Sequence, residues 1–228
     1  MPSSASPVAE AAHARTLGAA ADPLPQILLL HGIWNGRVWL GPLAWRLRHD
    51  GFRVATFGYS TAFGGAEAAL PRLQQRIARL AQRGPVALVG HSLGGLIALH
   101  ALRQAPHLPV TRVVCLGSPL AGSAVAQTLL RRGLGIALGR SAGLLQQGLG
   151  HWDGRAAVGM VAGSVALGLG NRIAALGPES DGTVALAETR VPGLHDHCLV
   201  RASHSGLLFS PLAARQAAAF LRHGRFAA

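Results

Sequence analysis

Residues 90–95, Gly-His-Ser-Leu-Gly-Gly, constrain the fold of this 228-residue chain more than any other segment. They follow the apolar run 86–89 and precede residues 96–102, whose pattern is typical of a helix. The segment predicts a sharp turn from a strand into a helix, in which glycines leave room for a strained backbone at Ser92. The same turn leaves the amide of Leu93 at a helix N-terminus, where unpaired N–H groups favour a developing negative charge.

The interpretation of Ser92 depends on partners, because a Gly-x-Ser-x-Gly string also arises by chance in a chain with 30 glycines. A serine hydroxyl is a weak nucleophile and needs an adjacent imidazole, which in turn needs a carboxylate to fix its tautomer. In chains with this turn the order is serine, then Asp or Glu, then histidine. The chain must therefore supply an acid and a histidine after Ser92.

Asp181 is the predicted acid. It lies in the turn-forming cluster 178–183, which follows the apolar stretch 158–162. Alternatively, Asp181 only forms an Asx-turn ahead of a glycine, and Glu179 or Asp196 is the acid.

His204 is the predicted base among 11 histidines. Residues 199–206 form a short strand-like run followed by a loop, and the helical pattern 212–221 comes next. His195 or His197 is the alternative if the last strand begins later.

A second donor to a negative charge is expected from the loop after the early strand-like run 27–30. Ile33 would offer its backbone amide, Gly32 permits close backbone approach, and the ring of His31 would brace the loop by a hydrogen bond. His91, beside the serine, is expected to pack under the turn and not to react.

Together these segments resemble the α/β-hydrolase family, most closely its minimal bacterial lipases and esterases. The resemblance implies a serine carboxylic-ester hydrolase with Ser92, Asp181 and His204 as catalytic residues and the amides of Ile33 and Leu93 as oxyanion donors. No metal or organic cofactor is needed for such chemistry. The stretches that carry the resemblance are 31–33, 90–95, 181–184 and 204–210.

The alternation of apolar runs and helical patterns predicts an α/β fold: a mostly parallel, doubly wound sheet of about six strands with flanking helices. Residues 119–157 interrupt this alternation and are a candidate helical cap over Ser92, with Trp152 as a further wall. Alternatively, residues 124–138 are an ordinary crossover helix. The predicted strands are 26–31, 52–57, 86–90, 110–116, 158–162 and the run that begins at 199; the predicted helices are 38–48, 70–82, 93–103 and 212–221.

Length and composition favour one domain, residues 26–228, preceded by a flexible arm, residues 1–25, that lacks the features of a signal peptide. The longest uncharged stretch, 156–171, is shorter than the ~20 residues that span a bilayer. Cys115 and Cys198 are expected on strands separated by a third, which disfavours a disulfide. A cytoplasmic location is therefore expected.

The net charge of +12 comes from arginines dispersed along the chain, and aromatic residues make up only 5%. This pattern argues against a nucleic-acid partner. The expected partner is a small-molecule ester or a lipid, and the basic surface would allow peripheral contact with anionic lipids. An acyltransferase, a thioesterase, a peptide-cleaving hydrolase and a non-catalytic binding module on the same scaffold are the alternatives.

Overall fold

A computed structural model describes residues 24–61 and 65–228. Its centre is a six-stranded sheet in the order β2-β1-β3-β4-β5-β6, with every neighbouring pair parallel. This confirms the predicted α/β class and the predicted number of strands. The strands are β1 (Gln26–Leu30), β2 (Val54–Phe57), β3 (Val86–His91), β4 (Val110–Leu116), β5 (Ala157–Gly163) and β6 (Asp196–Val200).

Helices cover both faces of the sheet, which explains why the inner strands are nearly continuous apolar runs. Side chains alternate between the faces, so Leu28 and Leu30 pack into one core layer while Ile27 and Leu29 pack into the other. The helices are α1 (Gly41–His49), α2 (Gly65–Ala81), α3 (Leu93–Gln104), α4 (Ala124–Arg131), α5 (Ala142–Gln147), α6 (Gly170–Ile173) and α7 (Pro211–His223). Helices α2 and α3 contribute to the first layer, and α1 and α7 to the second.

Several boundaries differ from those predicted. The first predicted helix is a 3-10 helix (Arg37–Leu40) followed by α1, and α2 begins five residues before position 70, although Pro71 removes one N–H from its hydrogen-bond ladder. Strand β6 begins at Asp196, three residues before the predicted strand-like run that starts at 199. The reason is that β6 lies at the sheet edge, where half-buried polar residues are tolerated and the apolar signal is weak.

The segment 119–157 joins β4 to β5 and contains α4, a 3-10 helix (Gly135–Ser141) and α5. Leu129, Leu138, Leu145 and Leu149 are all buried in the core layer that also contains α3. The segment thus contributes to the core, and its assignment as a cap remains a prediction. The predicted N-terminal arm lies almost wholly outside the described residues.

The two cysteines occupy β4 and β6, with β5 between them, and both are free thiols. This is the predicted arrangement. Within the described part of the chain, no helix is both long and apolar enough to cross a membrane.

Candidate active site

Ser92 stands at the turn between β3 and α3 with φ 55° and ψ −124°, a backbone conformation that side-chain-bearing residues rarely adopt. The turn is tight enough to require glycine. A Cβ on Gly90 would lie 2.4 Å from the backbone nitrogen of Gly95, and one on Gly94 would lie 2.6 Å from the carbonyl oxygen of Leu30. The Ser92 amide donates a 2.8 Å hydrogen bond to a carbonyl at the end of β4, which fixes the turn against the sheet.

Asp181 and His204 meet across 23 residues of sequence. The His204 Nδ1 donates to Asp181 Oδ2 at 2.7 Å, and the His204 amide donates to the Asp181 carbonyl at 2.8 Å. The other carboxylate oxygen, Oδ1, accepts the amides of Thr183 at 3.0 Å and Val184 at 2.8 Å. Asp181 therefore forms the turn and holds the histidine at once, so the two sequence interpretations of this residue are compatible. With Nδ1 as donor, the network leaves Nε2 of His204 as the basic nitrogen.

The alternative acids and bases have other partners. Asp196 accepts the amides of His197 at 2.8 Å and Phe226 at 2.7 Å, and the ring of His197 bonds the Thr189 hydroxyl at 2.9 Å. Glu179 is exposed. The described residues that line the cavity around Ser92 do not include Glu179, Asp196, His197 or His195.

Ser92 and His204 both line a cavity of about 310 Å³. Its walls are mainly apolar and come from segments far apart in the sequence. Val125 is the residue of segment 119–157 that lines it, and residues 167–173, after β5, supply five further lining residues. The apolar lining residues are Ile33, Trp34, Val125, Leu167, Leu169 and Ile173.

The loop after β1 passes directly beside Ser92. A Cβ on Gly32 would lie 3.0 Å from the Ser92 Cβ, and the next residue, Ile33, lines the cavity. His31 braces this loop as expected: its Nδ1 donates to the Gly32 carbonyl at 2.9 Å, and its Nε2 accepts the Tyr59 amide at 3.4 Å. Burial is the main cause that lowers the pKa of His31, which favours the neutral form of the ring.

His91 packs under the turn, as the sequence predicted. Its side chain is 1% exposed, and its Nε2 donates to the His204 carbonyl at 3.0 Å. Its Nδ1 has no hydrogen-bond partner among the described residues. Burial, and secondarily the neighbouring His204, lower the pKa of His91 to about 3. The ring is therefore a neutral support for the histidine loop.

Sequence reasoning missed the cavity walls after β5. Leu167 and Leu169 are 73% and 70% exposed, which is unusual for leucine, and both line the cavity. Their position after a predicted parallel strand is a usable signal, because ligands bind outside the carboxyl ends of such strands. Trp152, expected as a wall, lies elsewhere: its indole donates to the Ala156 carbonyl at 2.8 Å, and it packs near Leu102.

Glu188 connects the loop that contains Asp181, here called the acid loop, to α4. Its Oε1 accepts the amide of Ala124 at 2.5 Å, the first residue of that helix, and its Oε2 accepts the amide of Ala185 at 2.8 Å. A carboxylate at a helix N-terminus is favourable. Burial nonetheless raises the pKa of Glu188 above its ordinary value. In residues 24–61 and 65–228, no group of three or more His, Cys, Asp and Glu side chains is arranged to bind a metal ion.

Ser92, Asp181 and His204 follow β3, β5 and β6, at the carboxyl-terminal end of a parallel sheet. A family model for the alpha/beta hydrolase family matches residues 27–226, and the chain belongs to this family. The resemblance noted in the sequence is thereby confirmed.

Solved structures with the same fold include a lipase, a carboxyl esterase and a phospholipase. The mature lipase BlEst2 of Bacillus licheniformis is 21% identical, with TM-score 0.68, and the match covers 90% of this chain and 93% of the lipase. The metagenomic carboxyl esterase MGS0156 is 18% identical, with TM-score 0.66 and coverage of 82% and 65%. The phospholipase PlaB of Legionella pneumophila is 16% identical, with TM-score 0.65 and coverage of 84% and 55%. At these identities the likeness concerns the fold. No curated protein sequence matches the chain.

Proposed function

We propose that this protein is a serine hydrolase of carboxylic esters, with Ser92 as nucleophile, His204 as general base and acid, and Asp181 as the carboxylate that orients His204. The observation that carries the proposal is the 2.7 Å contact between Asp181 and His204 on the wall of a cavity that Ser92 also lines. The strained backbone of Ser92 supports it, because such strain concentrates at functional sites.

In the proposed reaction, His204 Nε2 takes the proton of Ser92 Oγ while this oxygen attacks the ester carbonyl. The amides of Ile33 and Leu93 stabilise the oxyanion of the tetrahedral intermediate. The carbon–oxygen bond to the alcohol then breaks, and the imidazolium returns its proton to the departing alkoxide. Water attacks the acyl-enzyme in the same way and releases the acid and free Ser92. Side chains and backbone amides suffice for every step.

Asp181 contributes by holding His204 in the tautomer whose Nε2 is free, and its negative charge stabilises the imidazolium. The carboxylate is only 1% exposed and its second oxygen already accepts two amides, so it has little freedom to rotate. This arrangement is pre-organised, because the Asp181 carboxylate is in place before positive charge develops on His204.

The substrate class follows from the cavity. Its apolar walls suit the acyl or alkyl part of an ester, and about 310 Å³ is near the lower end of the ~300–1,000 Å³ that small-molecule sites occupy. We therefore propose esters with short apolar chains. The lipase and the carboxyl esterase with the same fold are consistent with ester chemistry. A cytoplasmic location and peripheral contact with lipid surfaces remain predictions, the first supported by the two unpaired cysteines.

The test is hydrolysis of p-nitrophenyl esters over a range of acyl lengths by the wild-type protein and by Ser92→Ala. We expect wild type to prefer short chains and Ser92→Ala to lose more than about 10⁴ in kcat. Ser164→Ala is the matched control, since this exposed serine does not line the cavity. It should retain wild-type kcat. Turnover by Ser92→Ala, or an inactive wild type at every acyl length, would contradict the proposal.

A further inference from the structure

Trp34 has the second strained backbone at this site. Its φ is 59°, and Trp34 and Ser92 are the two residues other than glycine with positive φ in the described part of the chain. A bulky residue in this region is a genuine outlier. Such strain persists only where surrounding contacts enforce it, so the contacts of Trp34 indicate what it does.

The indole of Trp34 makes a long-range hydrogen bond. Its Nε1 donates a 2.7 Å hydrogen bond to the carbonyl of Ala137, 103 residues later, in the 3-10 helix Gly135–Ser141. This acceptor is well anchored, since the neighbouring Leu138 is 2% exposed and packs in the core. Trp34 itself is 56% exposed, so burial does not hold its ring in place. The hydrogen bond is therefore a specific restraint on the side chain.

The restraint acts on the loop beside the nucleophile. Ile33, directly before Trp34, lines the cavity with Ser92. The loop also runs close to the nucleophile, since a Cβ added to Gly32 would lie 3.0 Å from the Ser92 Cβ. An oxyanion donor works only when its N–H is held at hydrogen-bond distance from the developing charge. Relaxation of Trp34 to negative φ would move the adjoining backbone and carry the Ile33 amide with it.

We infer that Trp34 is a positioning residue. Its indole hydrogen bond links the loop that contains Ile33 to segment 119–157. This link keeps the Ile33 amide in place as an oxyanion donor. The segment is then a fixed support of this loop at Ala137. A second tie, from Glu188 to the amide of Ala124, holds the other end of the segment to the acid loop. The inference rests on the proposed ester hydrolysis.

Trp34→Phe tests this by removing the N–H donor while keeping an aromatic wall in the cavity. We expect kcat to fall roughly 10- to 100-fold, less than the ~10²–10³ lost with a complete oxyanion donor, while KM changes less than twofold. The matched control is Trp45→Phe, because Trp45 is 63% exposed on α1 and stacks on His49 away from the cavity. It should leave both constants unchanged.

Hydrogen exchange gives a readout that does not need activity. In Trp34→Phe the amides of residues 31–36 should exchange faster than in wild type, while β3 and α3 keep their protection. An unchanged kcat, a rise in KM alone, or unchanged exchange in residues 31–36 would overturn the inference. Wild-type inactivity towards esters would instead count against the proposed function, and the exchange comparison would still decide whether the indole holds the loop.

Discussion

Gly117→Ala is the sharpest test of how closely the site is packed. Gly117 follows β4 with φ 55°, and a Cβ there would lie 2.9 Å from Asp181 Oδ2, 2.9 Å from Leu207 Cδ1 and 3.2 Å from His204 Nδ1. Ordinary contacts begin at 3.4 Å. The methyl group therefore has to displace the carboxylate by about half an ångström, or push its own backbone away.

Two costs follow, and they can be separated. An Ala at positive φ costs about 1–2 kcal/mol in stability wherever it is placed. The displaced Asp181–His204 pair costs activity, since a misplacement of ~1 Å is worth about 10²-fold in rate. We expect kcat/KM for a short-chain ester to fall roughly 10- to 100-fold in Gly117→Ala.

Gly133→Ala is the matched control. Gly133 has φ 73° and nothing within 4 Å of its Cβ position, so it bears the backbone cost alone. Both variants should melt a few degrees lower, at about 2–4 °C per kcal/mol for a chain of this size. Calorimetry measures the melting temperature, and the chromogenic ester assay measures kcat/KM. If Gly117→Ala keeps full activity, or if Gly133→Ala loses as much, the steric reasoning is refuted.

Two further predictions concern charge. Asp181→Asn should lower kcat by about 10⁴ with little change in fold, because the amide no longer favours the His204 tautomer with its proton on Nδ1. The control variant Asp196→Asn should remain active in the same ester assay. Equal losses of kcat in the two variants would contradict the role of Asp181 as the acid. His91 has a folded pKa of about 3 against 6.5 unfolded, so below pH 6.5 the unfolded chain binds a proton that the folded chain does not. The contribution of neutral, buried His91 to the free energy of unfolding is complete above pH 6.5 and is lost as pH falls from 6.5 towards 3. Urea unfolding at pH values between 7 and 5 measures the free energy of unfolding of wild type and of His91→Gln. This free energy should fall more steeply with pH in wild type, by up to about 1.4 kcal/mol per pH unit. Equal slopes would contradict the lowered pKa of His91.

Local sequence patterns predicted the two turns of the site, at Ser92 and at Asp181, because each turn depends on residues close to it in sequence. The turn at Ser92 depends on glycines within three residues of it, and steric exclusion by a Cβ acts at that range. The Asx-type bonds of Asp181 are local in the same way. His204 could be chosen among 11 histidines because chain order in an α/β sheet restricts which loop can reach the serine.

Long-range packing decided what the patterns left open. The 2.7 Å contact of Asp181 with His204 requires β5 and β6 to be neighbours, which chain order suggests and only the sheet order fixes. The start of β6 was placed too late because an edge strand carries a weak apolar signal. Trp152 was misplaced because an aromatic residue looks the same in sequence whether it lines a site or packs against a distant helix.

The sequence by itself determined a parallel α/β sheet with a serine at a strand-to-helix turn, since hydrophobic periodicity and glycine sterics act within a few residues. The tertiary structure alone decided the cavity and its supports. Val125, Leu169 and Trp34 line the same cavity as Ser92 although they are separated by tens of residues in the sequence, and the indole of Trp34 donates to an acceptor 103 residues away. Such contacts depend on how the helices and loops pack on the sheet, and no local pattern encodes that packing.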